Sequence, residues 1–202
     1  MPQLDGLRAV AVLLVFIHHW TALHWDTGQL GVQLFFVLSG FLITGILVDL
    51  RQKGKKAGQP VHISLRQFYG RRFLRIFPLF YLTIFLLYIL DLSLIREVIG
   101  WHVTYLSNVG FALNGDYIGR TSHFWTLAVE EQFYLVWPVL ILTLPRRVLL
   151  PMIVGAILSA PLFRTTLYLQ GYTSFVTYNL WPISNLDTLG FGSLLAILIR
   201  RE

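Results

Sequence analysis

The chain has 202 residues, 55% hydrophobic, 15% aromatic and only 13% charged. A soluble domain usually carries about 25% charged residues, so this deficit excludes an ordinary water-exposed globule and points to a polytopic helical membrane protein. Cysteine is absent, which excludes disulfides, a thiol nucleophile and a thiolate metal site, and the net charge of +6 must be judged by where the basic residues fall.

The first apolar segment, roughly residues 7–25, carries Arg8 near its start and His19 deep inside. Eleven helical steps return to within ~20° of the starting direction, so the two share a face and stand ~16 Å apart along the axis. Asp5, three residues before Arg8, suits the positive end of the helix and pairs with it across one turn. Ionisable groups inside a membrane are costly and mark either function or a satisfied bundle interior. The plainer alternative here is an arginine snorkelling to lipid phosphate and a hydrogen-bonded structural histidine.

A second span is expected over roughly 30–50, where Ser39 and Gly40 suit close helix packing and Gln33 can bond across the bundle. Residues 51–75 then read as a basic loop, its first part (51–66) flexible and polar with Gly54, Gly58 and Pro60. At its end, in FYGRRFLRIFP, Arg72 and Arg75 are i,i+3 and can converge on one anion if helical. A plain positive-inside anchor is the competing reading.

A third span is expected over roughly 76–94. The stretch 98–113 is interrupted by His102, Thr104, Ser107 and Asn108 and reads as interfacial or re-entrant. The span over roughly 124–144 holds FWTLAVEEQFYLVWP. Its adjacent Glu130 and Glu131 project ~100° apart and need different partners, while His123, Glu130, Tyr134 and Trp137 fall on one face. Glu130 and His19 each lie about six or seven residues inside the outer end of their spans, ~10 Å deep, so a His19–Glu130 pair is expected. The segment 148–163, with Pro151 and Pro161, is short for ~30 Å of hydrocarbon and reads as tilted or broken. A last span follows over roughly 183–199.

The expected fold is therefore all-α, a transmembrane bundle of about six spans with a cytoplasmic N-terminus. Under that topology thirteen of the sixteen Lys and Arg residues fall on one side, and only Arg96, Arg120 and Arg164 on the other. That bias is the positive-inside rule. It places the basic residues at span ends and removes nucleic acid as a partner. The first span has no small-residue cleavage site and is no signal peptide.

The runs LDGLRAVAVLLVFIHHW, GVQLFFVLSGFLITGIL, FYGRRFLRIFPLFYL, FWTLAVEEQFYLVWP and LDTLGFGSLLA together resemble the acyltransferase-3 family of integral-membrane acyltransferases, in order and spacing, across almost the whole chain. The resemblance implies a single membrane domain over 1–202, in the bacterial inner membrane, that transfers an acyl group from acyl-CoA, often acetyl-CoA, to a hydroxyl of a surface glycan, lipid-linked sugar or small molecule. Acyl-CoA is a co-substrate in that reading, and no bound cofactor or metal is expected. Arg8 and His19 match the family's Arg-x10-His signature, Arg72 and Arg75 its Arg-x-x-Arg, and Glu130 and Glu131 its acidic pair. In the mechanism these parts suggest, His19 is the base, Glu130 orients it, Glu131 or Tyr134 positions the acceptor, and Arg8, Arg72 and Arg75 anchor acyl-CoA. Gln33 stands where many members have Asp, and Asn185 where Arg is common. Members usually have about ten spans, so a truncated member is expected. A non-catalytic remnant and, more remotely, a proton-coupled transporter are the alternative functions.

Overall fold

The structure, a computed structural model, describes residues 2–20, 27–92 and 94–200, without the side chains of Pro2, Gln3, Asp5, His19 and Arg120. The described residues form helices and turns with no strand. Helix α1 spans Pro2–Trp20 and α2 Thr27–Lys56; α3 spans Val61–Ile89. Two short helices follow, α4 (Ile95–Val103) and α5 (Ser107–Asn114). Then come α6 (Phe124–Thr143), α7 (Arg146–Leu169), α8 (Phe175–Asn179) and α9 (Leu186–Ile199).

Among the described residues three helices are long and apolar enough to cross a membrane: α2, α3 and α7. The apolar parts of α1 and α9 are shorter, Gly6–His18 and Ile183–Ile199. Helix α6 has 20 residues and lies in the interior, with Trp125, Phe133, Trp137 and Ile141 all buried. Helices α4 and α5, nine and eight residues long, reach only ~13 Å each and cannot cross ~30 Å of hydrocarbon.

Helix α2 is the hub, packed against α1, α6 and α9. Glycine permits the α9 approach from both sides. A Cβ on Gly40 would collide with the Leu189 carbonyl, and one on Gly192 with the Val37 carbonyl, so α2 and α9 meet backbone to backbone. Between them Thr44 Oγ1 donates to Ser193 Oγ (2.8 Å), and Trp137 Nε1 of α6 donates to Thr44 Oγ1 (2.8 Å). Those bonds satisfy the polar groups of the close-packed seam.

One expectation is corrected and another narrowed. The basic segment 51–75 is no loop: α2 continues to Lys56 and α3 begins at Val61, leaving a turn of four residues with Gly58 at φ +63°. Arg, Lys and Gln are good helix formers, and Gly54 packs against Ser64 across the hairpin, so both helices extend past their apolar parts. Of the tilted and broken readings of 148–163, the break is ruled out: α7 runs unbroken over 24 residues despite Pro151 and Pro161.

Candidate functional site

Three consecutive residues of α6 reach three different helices. Glu130 is buried and accepts hydrogen bonds from Ser39 Oγ of α2 and from Tyr134 Oη of its own helix (3.1 Å). Glu131 lies 3.3 Å from the Arg72 guanidinium of α3. Gln132 Nε2 donates to Asn108 Oδ1 of α5 (2.8 Å) and to the Tyr105 carbonyl (2.7 Å). Steps of 100° along a helix make this fan possible. The expectation that the adjacent carboxylates take different partners holds.

Arg72 ties the cluster together. Its guanidinium carbon stands 3.6 Å from the centroid of the Tyr134 ring while one nitrogen bonds Glu131. Cation and ring attract through the ring quadrupole, more strongly where water is excluded. Tyr134 therefore touches both Glu130 and Arg72, and the two acids communicate through it.

On the far side of Arg72 a cleft of about 420 Å³ opens between α1, α2 and α3. Arg8, Arg71, Arg72 and Arg75 line it, with Gln67 and the apolar Ile43 and Ile46. Arg8, Arg72 and Arg75, assigned to substrate binding by the resemblance, are thus brought together at one cleft. Arg71 was not singled out as a site residue; its position beside the Arg72–Arg75 pair was the available signal. The Nε atoms of Arg8 and Arg72 are buried and have no hydrogen-bond partner among the described residues. Four guanidinium groups around one concavity repel one another unless an anion lies among them.

The expected His19–Glu130 pair fares differently. The His19 side chain lies outside the described residues. The depth match behind the expectation does not hold. The adjacent His18 imidazole packs over Gly28, where a Cβ would lie 2.7 Å from the ring. Glu130 bonds Ser39, eleven residues further along α2 and so ~16 Å deeper. Helix α6 starts low: Trp125, in its first turn, packs edge-on against Phe36 of α2 (5.9 Å), with the 95–123 segment preceding it in the chain. It is Arg8, not the histidine end of α1, that shares a level with the acids. His123 is exposed at the N-cap of α6, away from the buried face of Glu130, Tyr134 and Trp137. The Asp5 partner of Arg8 also lies outside the described side chains.

Two signals were read too plainly in the sequence. Ser39, placed by sequence among the close-packing residues, is the donor to Glu130. Gln33, expected to bond across the bundle, is exposed. Asn185, by contrast, donates to the carbonyls of Asn179 (2.7 Å) and Trp181 (3.0 Å), a structural task at the end of α8.

His102 of α4 is buried, with Nδ1 3.0 Å from the Val98 carbonyl. Burial pushes its pKa below the ordinary histidine value and outweighs the backbone contacts that oppose the shift.

No solved structure matches the chain. The chain is 34% identical over 190 residues to a peptidoglycan O-acetyltransferase of Listeria monocytogenes, covering 85% of this chain and 30% of that protein. With the O-acetyltransferase OatA of Staphylococcus aureus the identity is 33% over 217 aligned positions, 98% of this chain and 34% of the other. The chain thus spans about a third of the length of these relatives. The model of the family described as an acyltransferase domain, Acyl_transf_3, matches residues 1–202, and with the relatives' names it places the chain in that acyltransferase family.

Proposed function

We propose that the chain carries an O-acyl transfer across a membrane, from acyl-CoA on the cytoplasmic side to a hydroxyl of a cell-wall glycan. The observation that carries the donor half is the four-arginine cleft, joined through Arg72 to the buried acids. The peptidoglycan O-acetylation named for the Listeria relative supports the acceptor half.

The membrane placement belongs to the same reading. Thirteen of sixteen basic residues fall on one side if α1 starts in the cytoplasm, α4 and α5 stay at the outer face, and six helices span. The arginine cleft then opens on the cytoplasmic side, where the 3′-phospho-ADP portion of CoA is available and too anionic to enter hydrocarbon.

In this mechanism Arg8, Arg71, Arg72 and Arg75 hold the phosphates. Glu131 and Tyr134 hold Arg72, and Glu130 with Ser39 holds Tyr134, so the acids position the anchor. The neutral pantetheine arm runs up α1 over the ~16 Å between Arg8 and His19. There the acceptor oxygen attacks the thioester carbonyl carbon and His19 takes its proton. The carbon–sulfur bond breaks, the new ester oxygen is the acceptor's, and the thiolate of CoA leaves and is protonated. Radiolabelled acetyl-CoA, supplied to the chain in nanodiscs with a soluble N-acetylhexosamine oligomer, should label the oligomer. Absence of label with acetyl-CoA, where another acetyl donor does label the oligomer, would refute the donor.

A further inference from the structure

A second cleft, of about 370 Å³, opens near the other end of α7. Arg164, Thr165 and Tyr168 of α7 line it, facing Tyr178 and Asn179 of α8. Its place along the bundle follows from two contacts. Arg146, at the start of α7, donates to the Arg200 carbonyl, and Arg200 pairs with Asp49 of α2 (3.2 Å). Asp49 stands beside Leu50, which lines the arginine cleft. Arg164 lies ~27 Å further along α7, so the two clefts open towards opposite ends of the bundle.

The chemistry of the second cleft differs from that of the first. Arg164 is neutralised: one terminal nitrogen lies 2.5 Å from Asp187 Oδ2, and the other donates to the Ser184 carbonyl (2.6 Å). These contacts fix the guanidinium and leave further N–H donors, since it carries five. Asn179 Nδ2 donates to the Phe175 carbonyl (3.0 Å), which fixes the amide and leaves its oxygen as an acceptor. Thr165 adds a hydroxyl, and Tyr168, 65% exposed, presents its ring at the mouth. A phosphate finds no uncompensated charge here. An aromatic face beside fixed donors and acceptors suits a neutral, polyhydroxylated ring, and the volume is at the small end of ligand pockets, ~300–1,000 Å³.

We propose that this cleft is a subsite for a neutral amino-sugar unit, stacked on Tyr168 and hydrogen-bonded by Arg164 and Asn179. It rests on the acyl-transfer reading only for the notion that the sugar belongs to the acceptor; the binding itself does not need that reaction. A glycan polymer and a lipid-linked precursor offer the same sugar, so both are tested.

The chain in nanodiscs, without acyl donor, is titrated with tetra-N-acetylchitotetraose, and separately assembled with a polyprenyl-linked N-acetylhexosamine. The wild type should bind at least one of the two. Tyr168→Ala should weaken that binding about tenfold, as the loss of an interface aromatic does. Leu169→Ala, a change at an exposed neighbour, should leave it unchanged. Binding of the oligomer assigns the cleft to polymer, and binding of the lipid-linked sugar alone assigns it to precursor. No binding of either, or equal binding by Tyr168→Ala, overturns the proposal. Because no donor is present, failure of acyl transfer leaves this result standing, and loss of sugar binding leaves the arginine cleft untouched.

Discussion

The guanidinium of Arg72 is held by Glu131 at 3.3 Å on one side and by the face of Tyr134 at 3.6 Å on the other. Both partners sit on α6, while Arg72 itself sits on α3 and lines the cleft with Arg8, Arg71 and Arg75. A lysine has no planar group to stack and no fork to share.

Arg72→Lys should therefore keep the positive charge and still impair the site. If the cleft anchors the anionic donor, the apparent KM for acyl-CoA should rise by roughly tenfold or more, the range of a lost charged hydrogen bond. Steady-state kinetics over acyl-CoA concentration test this. An unchanged KM with a changed acceptor KM would remove the anchor role.

Replacing His19 by Ala should abolish transfer while acyl-CoA still binds, because the anchor stands ~16 Å away along α1. Equilibrium binding of a labelled CoA analogue, run beside the transfer assay, separates the two effects. Transfer at the wild-type rate would end the assignment of His19 as base.

Ser39→Ala removes one donor from a buried carboxylate. The cost should be about 1–3 kcal/mol. It should appear as a lower thermal midpoint in detergent, with Tyr134 as the remaining partner of Glu130.

Gly192→Ala should be more damaging than its single methyl suggests, because that methyl meets the backbone of α2 and no side chain can yield. Overpacking of this kind typically costs ~1–3 kcal/mol. Gly155→Ala on α7 has open space around it and should be neutral or slightly stabilising. Thermal unfolding of the pair tests whether the α2–α9 seam sets stability.

The buried His102 makes stability depend on pH. Its pKa is lowered in the folded state, so below ~6.5 the unfolded chain binds a proton that the folded chain does not. Its contribution is fully present above that value and is lost as pH falls through the lowered folded pKa. His102→Gln should flatten the fall in thermal midpoint between neutral and mildly acidic pH. An identical slope in both proteins would show that other groups carry it.

The convergence of Arg8, Arg72 and Arg75 was legible because charge in a membrane protein collects at one face, and span order tells which charges share it. The independent partners of Glu130 and Glu131 were legible from helical geometry alone. The identity of those partners was not. Ser39 and Arg72 lie 91 and 59 residues from the acids they meet, and nothing local marks a serine on an apolar helix as a donor. The depth comparison between His19 and Glu130 failed for a related reason. It assumed that every span starts at the outer surface, whereas α6 begins beside Phe36, well down α2. The hairpin after α2 was misread because polar composition suggests a loop, while arginine, lysine and glutamine also extend helices into water.

The fan of Glu130, Glu131 and Gln132 has a mechanical consequence. A helix bolted on three sides by successive residues can neither turn about its axis nor slide by a residue without losing all three fastenings together. Whatever motion admits substrates must then leave α6 still, like an axle, and let the helices around it swing.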